Sequence, residues 1–135
     1  MKARAAEQVV DSARTVGRVA EATRAEKTYQ TYTKTNSATG EVYTGRTSGK
    51  GSAFENIAAR DSNHHKNSEN FGPARLDKSS TDAQAIRGRE QMMIERYGGA
   101  KSTGGTSGNA INGISERNPN RENYLQKARE AWGSW

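Results

Sequence analysis

Residues 28–47 read TYQTYTKTNSATGEVYTGRT. Thr28, Tyr29, Thr31, Tyr32, Thr33 and Thr35 are β-branched or aromatic, the side chains that suit a pleated, half-buried surface, and they predict a first strand. Asn36, Ser37, Ala38, Thr39 and Gly40 form a cluster rich in turn formers, and Glu41 to Thr47 returns to strand-like residues. The stretch is therefore a β-hairpin. Tyr32 and Tyr43 stand eleven residues apart, one on each arm, with Gly45 two positions after the second. On antiparallel partners such rings can face one site, or they can simply stabilise the sheet as a cross-strand pair.

On the C-terminal side, Ser48 to Ser52 is a Gly/Ser loop. Ala53, Phe54, Ile57 and Ala58 then mark one face of a short helix ending near Arg60, with His64 and His65 close behind. Asp61 to Gly72 reads as polar loop, and Ala74 to Asp77 as a short third strand. Ser80, Thr81 and Asp82 offer N-caps for a helix to about Tyr97, with Ala85, Ile86, Met93 and Ile94 inward and Gly98-Gly99 as its stop. A Gly/Ser/Thr loop follows from Ala100 to Gly108. After Asn118-Pro119-Asn120 a last helix carries Tyr124, Leu125, Ala128 and Trp132 on one side.

Upstream, Ala3 to Lys27 reads as a helix with a thin stripe of Val9, Ala13, Val16 and Ala20, weakened by Gly17. It is either a linker or docking segment or an amphipathic helix packed on the domain, so the division expected is 1–27 and 28–135. The fold class expected is a small α/β domain, a short, mainly antiparallel three-stranded sheet flanked by helices.

Composition narrows the function. The chain has 135 residues, enough for one core, and only 31% of them are hydrophobic. With a mean hydropathy of -1.05 the core must be small. Lysine and arginine outnumber aspartate and glutamate 21 to 15, a net charge of +6. Such a surface favours a polyanionic partner, nucleic acid first, although a basic surface can also serve solubility alone. The absence of cysteine excludes disulfides, a thiolate zinc site and a cysteine nucleophile. No apolar run approaches bilayer-spanning length and no secretory leader is visible, so no membrane partner is expected and any export would be encoded elsewhere. The glycine pairs Gly98-Gly99 and Gly104-Gly105 lack the Walker and dinucleotide patterns.

Several short motifs occur in a fixed order. Gln30-Thr31-Tyr32 and Tyr43-Thr44-Gly45 are followed by Arg60 and His64 in an R-x-x-x-H arrangement, by Glu90 in the later helix, and by Asn109 and Asn112. The order resembles the GIY-YIG nuclease superfamily, with Gln30 and Thr31 replacing the glycine and isoleucine of the first half-motif. The longer string of Arg60 to His65, Ala85 to Gln91, Gly98-Gly99, Gly108-Asn109 and Ile111 to Ser115 is similar to GIY-YIG-type toxin domains at the ends of Rhs and related polymorphic toxins. This likeness spans about Thr28 to Ala131. It implies a metal-dependent DNA endonuclease of low sequence specificity, carried by a larger secreted toxin chain and acting in the target-cell cytoplasm. It also implies a cognate immunity protein. Other readings of the same residues are a non-catalytic nucleic-acid-binding module and a repair or homing nuclease working in its own cell.

The residue types suit phosphodiester hydrolysis, which needs an activated water, stabilised phosphate charge and help for the leaving oxygen. Glu90 is a hard oxygen ligand for Mg2+ or another divalent cation such as Mn2+, which takes one or two carboxylates and keeps its waters; alternatively it is a solvated helix residue pairing with Arg87. Arg60 can hold a phosphate through its planar fork or stand as a solvated helix-end residue. His64 can relay a proton or bond the phosphate, with His65 the alternative one position on. The resemblance implies Tyr32 as general base or relay and Tyr43 as the residue orienting water or phosphate. A phenol near pKa 10 would then need Arg60, Arg46 and the metal to favour its ionised form. Arg46, Lys50, Arg75, Lys78, Arg87 and Arg89 could form the footprint for the DNA backbone, with His65, Asn109 and Asn112 beside them.

Overall fold

Asn36 closes the hairpin: its side-chain oxygen accepts the amide hydrogens of Ala38 and Thr39 at 2.8 and 3.0 Å, and Gly40 takes the left-handed conformation at φ 79°. The computed structural model describes residues 26–134. The helix expected over Ala3 to Lys27 therefore lies outside the described residues except for Glu26 and Lys27, which have no regular structure. The arms of the hairpin are β1 (Thr28–Thr35) and β2 (Val42–Gly49), followed by α1 (Ala53–Asp61), β3 (Arg75–Ser80), α2 (Ala83–Arg96) and α3 (Arg121–Trp132). Short 3-10 turns lie at His65–Glu69 and Lys101–Thr103. The sheet is antiparallel throughout in the order β2-β1-β3, a small α/β domain as the sequence predicts.

β1 is central, and α1 and α2 both pack on it. Its alternation divides the molecule. Gln30, Tyr32 and Lys34 reach Asn56, His64 and Asp61, in α1 and just beyond it, whereas Thr31 bonds to Asp77, which in turn holds Arg89 of α2. Buried residues therefore run consecutively from Gln30 to Tyr32, as a strand covered on both faces requires. The pairing with β3 shifts register between Thr31 and Tyr32: Thr31 faces Lys78 and Tyr32 faces Leu76, which leaves Asp77 as an extra residue on β3.

Three local expectations change. β3 extends to Ser80 because Ser79 and Ser80 pair with Gln30 and Tyr29, although serine carries little strand preference of its own. α1 starts with a reciprocal cap between Ser52 and Glu55, yet its inward residues are Asn56 and Ile57, and Phe54 is 72% exposed. The helix is turned because the Asn56 amide bonds the Gln30 side chain at 3.0 Å, a polar contact that an apolar-face reading cannot see. In α2, Asp82 is the cap and Ala85, Ile86, Met93 and Ile94 are buried as expected, but Arg89, Glu90 and Gln91 are buried with them. Met92 packs with Leu125 and Ala128 of α3, and Trp132 lies against that cluster.

β2 is an edge strand whose outer backbone groups need partners. The Asn109 amide supplies them, accepting the Thr44 N–H at 2.9 Å and donating to the Thr44 carbonyl at 2.8 Å. Gly108 N–H adds a bond to the Val42 carbonyl. The same loop is tied to α2 by Gln91, whose side-chain oxygen accepts from Gly113 and Ile114 while its nitrogen donates to Asn112.

Candidate active site

At the β2 edge the two sides of the sheet open into a cleft of about 520 Å³ lined by Tyr43, Arg46, His65, Lys66 and Glu90 and by Asn109 to Gly113. Tyr43 and Arg46 belong to β2, Glu90 to α2, and His65 and Lys66 to the turn after α1. Residues far apart in the chain are thus brought to one strand edge.

Behind Tyr43 lies an aromatic and imidazole cluster. Tyr32 is 1% exposed and its hydroxyl is 2.8 Å from His64 Nε2. The Tyr43 ring centroid is 6.4 Å from that of Tyr32 and 5.1 Å from that of His64. His65 stacks on His64 at 4.5 Å, placing one imidazole inside and one in the cleft wall. Gly45 makes the arrangement possible. It pairs with Tyr32 across the hairpin, and a β-carbon there would come within 2.5 Å of the Tyr32 hydroxyl oxygen.

Burial sets the electrostatics of this cluster. It pushes the Tyr32 phenol well above its ordinary pKa; Tyr43, Glu90 and Asp61 add to the rise, and Arg60 opposes it. Tyr43 is raised by burial and then by Glu90, again against Arg60. Arg60 acts on the Tyr32 phenolate in the expected, favourable direction, but desolvation outweighs it. His64 is lowered to about 4, first by burial and then by Arg60, His65 and Lys34. Asp61, which burial alone would raise, is brought below the usual carboxylate range by its hydrogen bonds from Lys34 and the Ala74 N–H.

On the α2 side, Glu90 is buried and accepts a hydrogen bond from Arg46 Nε at 2.8 Å. Burial raises its pKa against the pull of Arg46 and Arg87. Its ion-pair partner is therefore Arg46, not the Arg87 suggested by helical spacing, and it is not a solvated helix residue. The Gly113 backbone lies flush with the carboxylate: a β-carbon there would meet Glu90 Oε1 at 2.5 Å.

The expected DNA footprint divides in two. Arg46, His65, Asn109 and Asn112 line the cleft, and Lys66, which was not anticipated, lines it with them. The Asn109 amide is committed to the Thr44 backbone and the Asn112 side-chain oxygen to Gln91, so both shape the wall. Arg89 is buried and holds Asp77 through two bonds of 2.8 and 3.0 Å, an internal tie between α2 and β3. The Arg87 guanidinium lies 4.9 Å over the Tyr124 ring of α3. Lys78 pairs with Thr31 in the sheet and does not line the cleft. Lysine and arginine were read as surface charge, and nothing in their spacing marks the ones used inside.

Lys34, Asp61 and Gln91 were missed. Lys34 is wholly buried and ion-paired to Asp61, which anchors the end of α1 beside Arg60 and the His64 loop. A lysine in phase with Gln30 and Tyr32 was the available signal, but it becomes informative only once β1 is known to be central.

Among the described residues no group of three or more histidine, cysteine, aspartate or glutamate side chains could hold a metal ion. A single buried carboxylate already balanced by a cation still fits a magnesium-like ion that keeps most of its waters. Against this geometry, no family model, no curated protein and no solved structure matches the chain.

Proposed function

We propose that the domain is a divalent-cation-dependent endonuclease of the GIY-YIG kind, hydrolysing DNA phosphodiester bonds with low sequence specificity. The observation that supports this reading is the convergence of Tyr43, Arg46, His65 and Glu90 on one cleft, with Tyr32 and His64 directly behind Tyr43. Arg60 exerts its field on both tyrosines and on His64.

Glu90 would hold Mg2+ or Mn2+, which supplies Lewis-acid stabilisation of phosphate charge and of the leaving oxygen. Arg46 and Lys66 present positive charge along the cleft and draw in the phosphate backbone. Tyr43, at the cleft surface, orients the attacking water or the phosphate. Tyr32 acts behind it as base or relay, with Arg60 offsetting the charge that develops there. The preference for DNA over RNA rests on the resemblance, since no residue here reads a ribose hydroxyl.

In its biological setting the domain acts as the toxin module of a larger secreted chain in the cytoplasm of a target bacterium. An immunity protein, expected to be acidic, neutralises it, because a net charge of +6 offers such a partner an electrostatic target. One experiment tests both levels. Plasmid DNA and a structured RNA are incubated with the protein in magnesium or in chelator, and viability is followed on induction in bacteria beside Glu90→Ala. Magnesium-dependent DNA cleavage and killing that needs Glu90 are expected. Binding without cleavage would favour a non-catalytic module, RNA-only cleavage would replace the substrate, and harmless expression of an active enzyme would remove the toxin role.

A further inference from the structure

His64 has two ring nitrogens, and both are engaged. Nε2 lies 2.8 Å from the Tyr32 hydroxyl. Nδ1 accepts the backbone N–H of Lys66 at 3.0 Å, capping the 3-10 turn that His64 opens. A nitrogen that accepts an N–H has its lone pair in that bond and carries no hydrogen. The single hydrogen of a neutral imidazole must then sit on Nε2, and the Tyr32 oxygen must be the acceptor. The opposite polarity would require a hydrogen on Nδ1, directed at the Lys66 N–H.

The geometry points to His64 as a fixed Nε2–H donor to Tyr32, a positioning residue that stabilises the tyrosine oxygen and does not receive its proton. This rests on the nuclease reading only for its catalytic consequence. If Tyr32 serves as relay, it takes a proton from the attacking water and its own hydroxyl hydrogen must pass to an acceptor other than His64 or that water, such as a phosphate oxygen of the substrate. A hydrogen bond donated to that oxygen favours the phenolate and opposes the burial that disfavours it. This role differs from the sequence-based expectation that His64 relays a proton or bonds the phosphate.

The surroundings hold the imidazole neutral. Burial, and then Arg60, His65 and Lys34, oppose a positive charge on it, whereas Asp61, engaged with Lys34, favours one. Tyr32 and Tyr43 face the ring from β1 and β2, and His65 covers it from the cleft side.

The test begins with the wild-type protein without substrate, labelled with 15N, and reads the His64 ring nitrogens by long-range 15N–1H correlation. A protonated Nε2 and an unprotonated Nδ1 are expected, unchanged from about pH 8 to about pH 5. A hydrogen on Nδ1, or an imidazolium at neutral pH, would overturn the proposal. This arm needs no activity, so an inactive wild type would sink the nuclease reading and leave the tautomer to stand or fall separately.

The catalytic arm compares His64→Gln, whose amide can still donate, with His64→Leu, which cannot, after both are shown to melt cooperatively. His64→Gln is expected to keep kcat within about tenfold and to retain the wild-type pH–rate profile, whereas His64→Leu loses about a hundredfold in kcat with little change in KM. Equal losses in the two variants, or a pH limb removed by glutamine, would mean that His64 takes the proton.

Discussion

The two sides of the sheet reach the same cleft in different states. On the α1 side the polar groups around Tyr32 are satisfied internally: its hydroxyl by His64, His64 by the Lys66 backbone, and Lys34 by Asp61. On the α2 side Glu90 is balanced by Arg46, whose side chain is 44% exposed and can exchange partners. One wall is built before substrate arrives, and the other holds a charge whose counter-ion can be replaced. Preorganised donors and rings suit the geometry of attack, while an exchangeable ion pair suits the arrival of a cation and a polyanion.

The sharpest way to break this comparison is Glu90→Ala. A loss of cleavage of about a thousandfold or more is expected, with far-UV circular dichroism unchanged. The melting temperature should move little, because Arg46 can turn to solvent once its partner is gone. Appreciable magnesium-dependent activity in this variant would take the α2 side out of the chemistry.

Gly45→Ala probes the prebuilt wall. The added carbon meets the Tyr32 hydroxyl, so the ring must shift, at a cost of about 1–3 kcal/mol in unfolding free energy and about a hundredfold in kcat. Denaturant titration and single-turnover cleavage read the two effects. Wild-type kcat with lowered stability would show that the position of Tyr32 matters for packing alone.

The smallest effect expected is in the acid dependence of stability. His64 titrates in the folded protein at about 4, below its ordinary 6.5, so between these values the unfolded chain binds the extra proton. The stability contributed by neutral His64 is therefore fully present above about pH 6.5 and is lost as pH falls through 4. His64→Gln should flatten the slope of melting temperature against pH across that interval. An unchanged slope would assign the acid dependence to other groups, Asp61 among them.

Elements whose signals are local were legible from sequence. The Asn36 turn, the Asp82 cap, the Gly98-Gly99 stop and the apolar stripe of α3 are each encoded within a few neighbouring residues. The tyrosines, Arg60, His64 and Glu90 were singled out by the order of motifs; of these the fold brings Tyr43 and Glu90 to one cleft and sets Tyr32 and His64 behind Tyr43. What was not legible depends on pairings across the chain. Asn56 faces inward because Gln30 receives it, Arg89 leaves the surface because Asp77 holds it, and Ser79-Ser80 are strand because β1 runs beside them. No window around any one of these residues contains its partner.

The extra residue on β3 also has a consequence for insertions and deletions. The rungs from Tyr29 to Thr31 and those at Tyr32 and Thr33 run in two phases that differ by Asp77. Removing Asp77 would merge the phases and restore an uninterrupted ladder, the kind of change a sheet normally welcomes. Here it would keep Leu76 opposite Tyr32 and Arg75 opposite Thr33, but would delete the carboxylate that bridges Thr31 to Arg89. The most regular version of this sheet is thus one that lacks the polar bridge between α2 and the strand that carries Tyr32. A homologous chain one residue shorter at this point would need a different tie between that helix and the sheet.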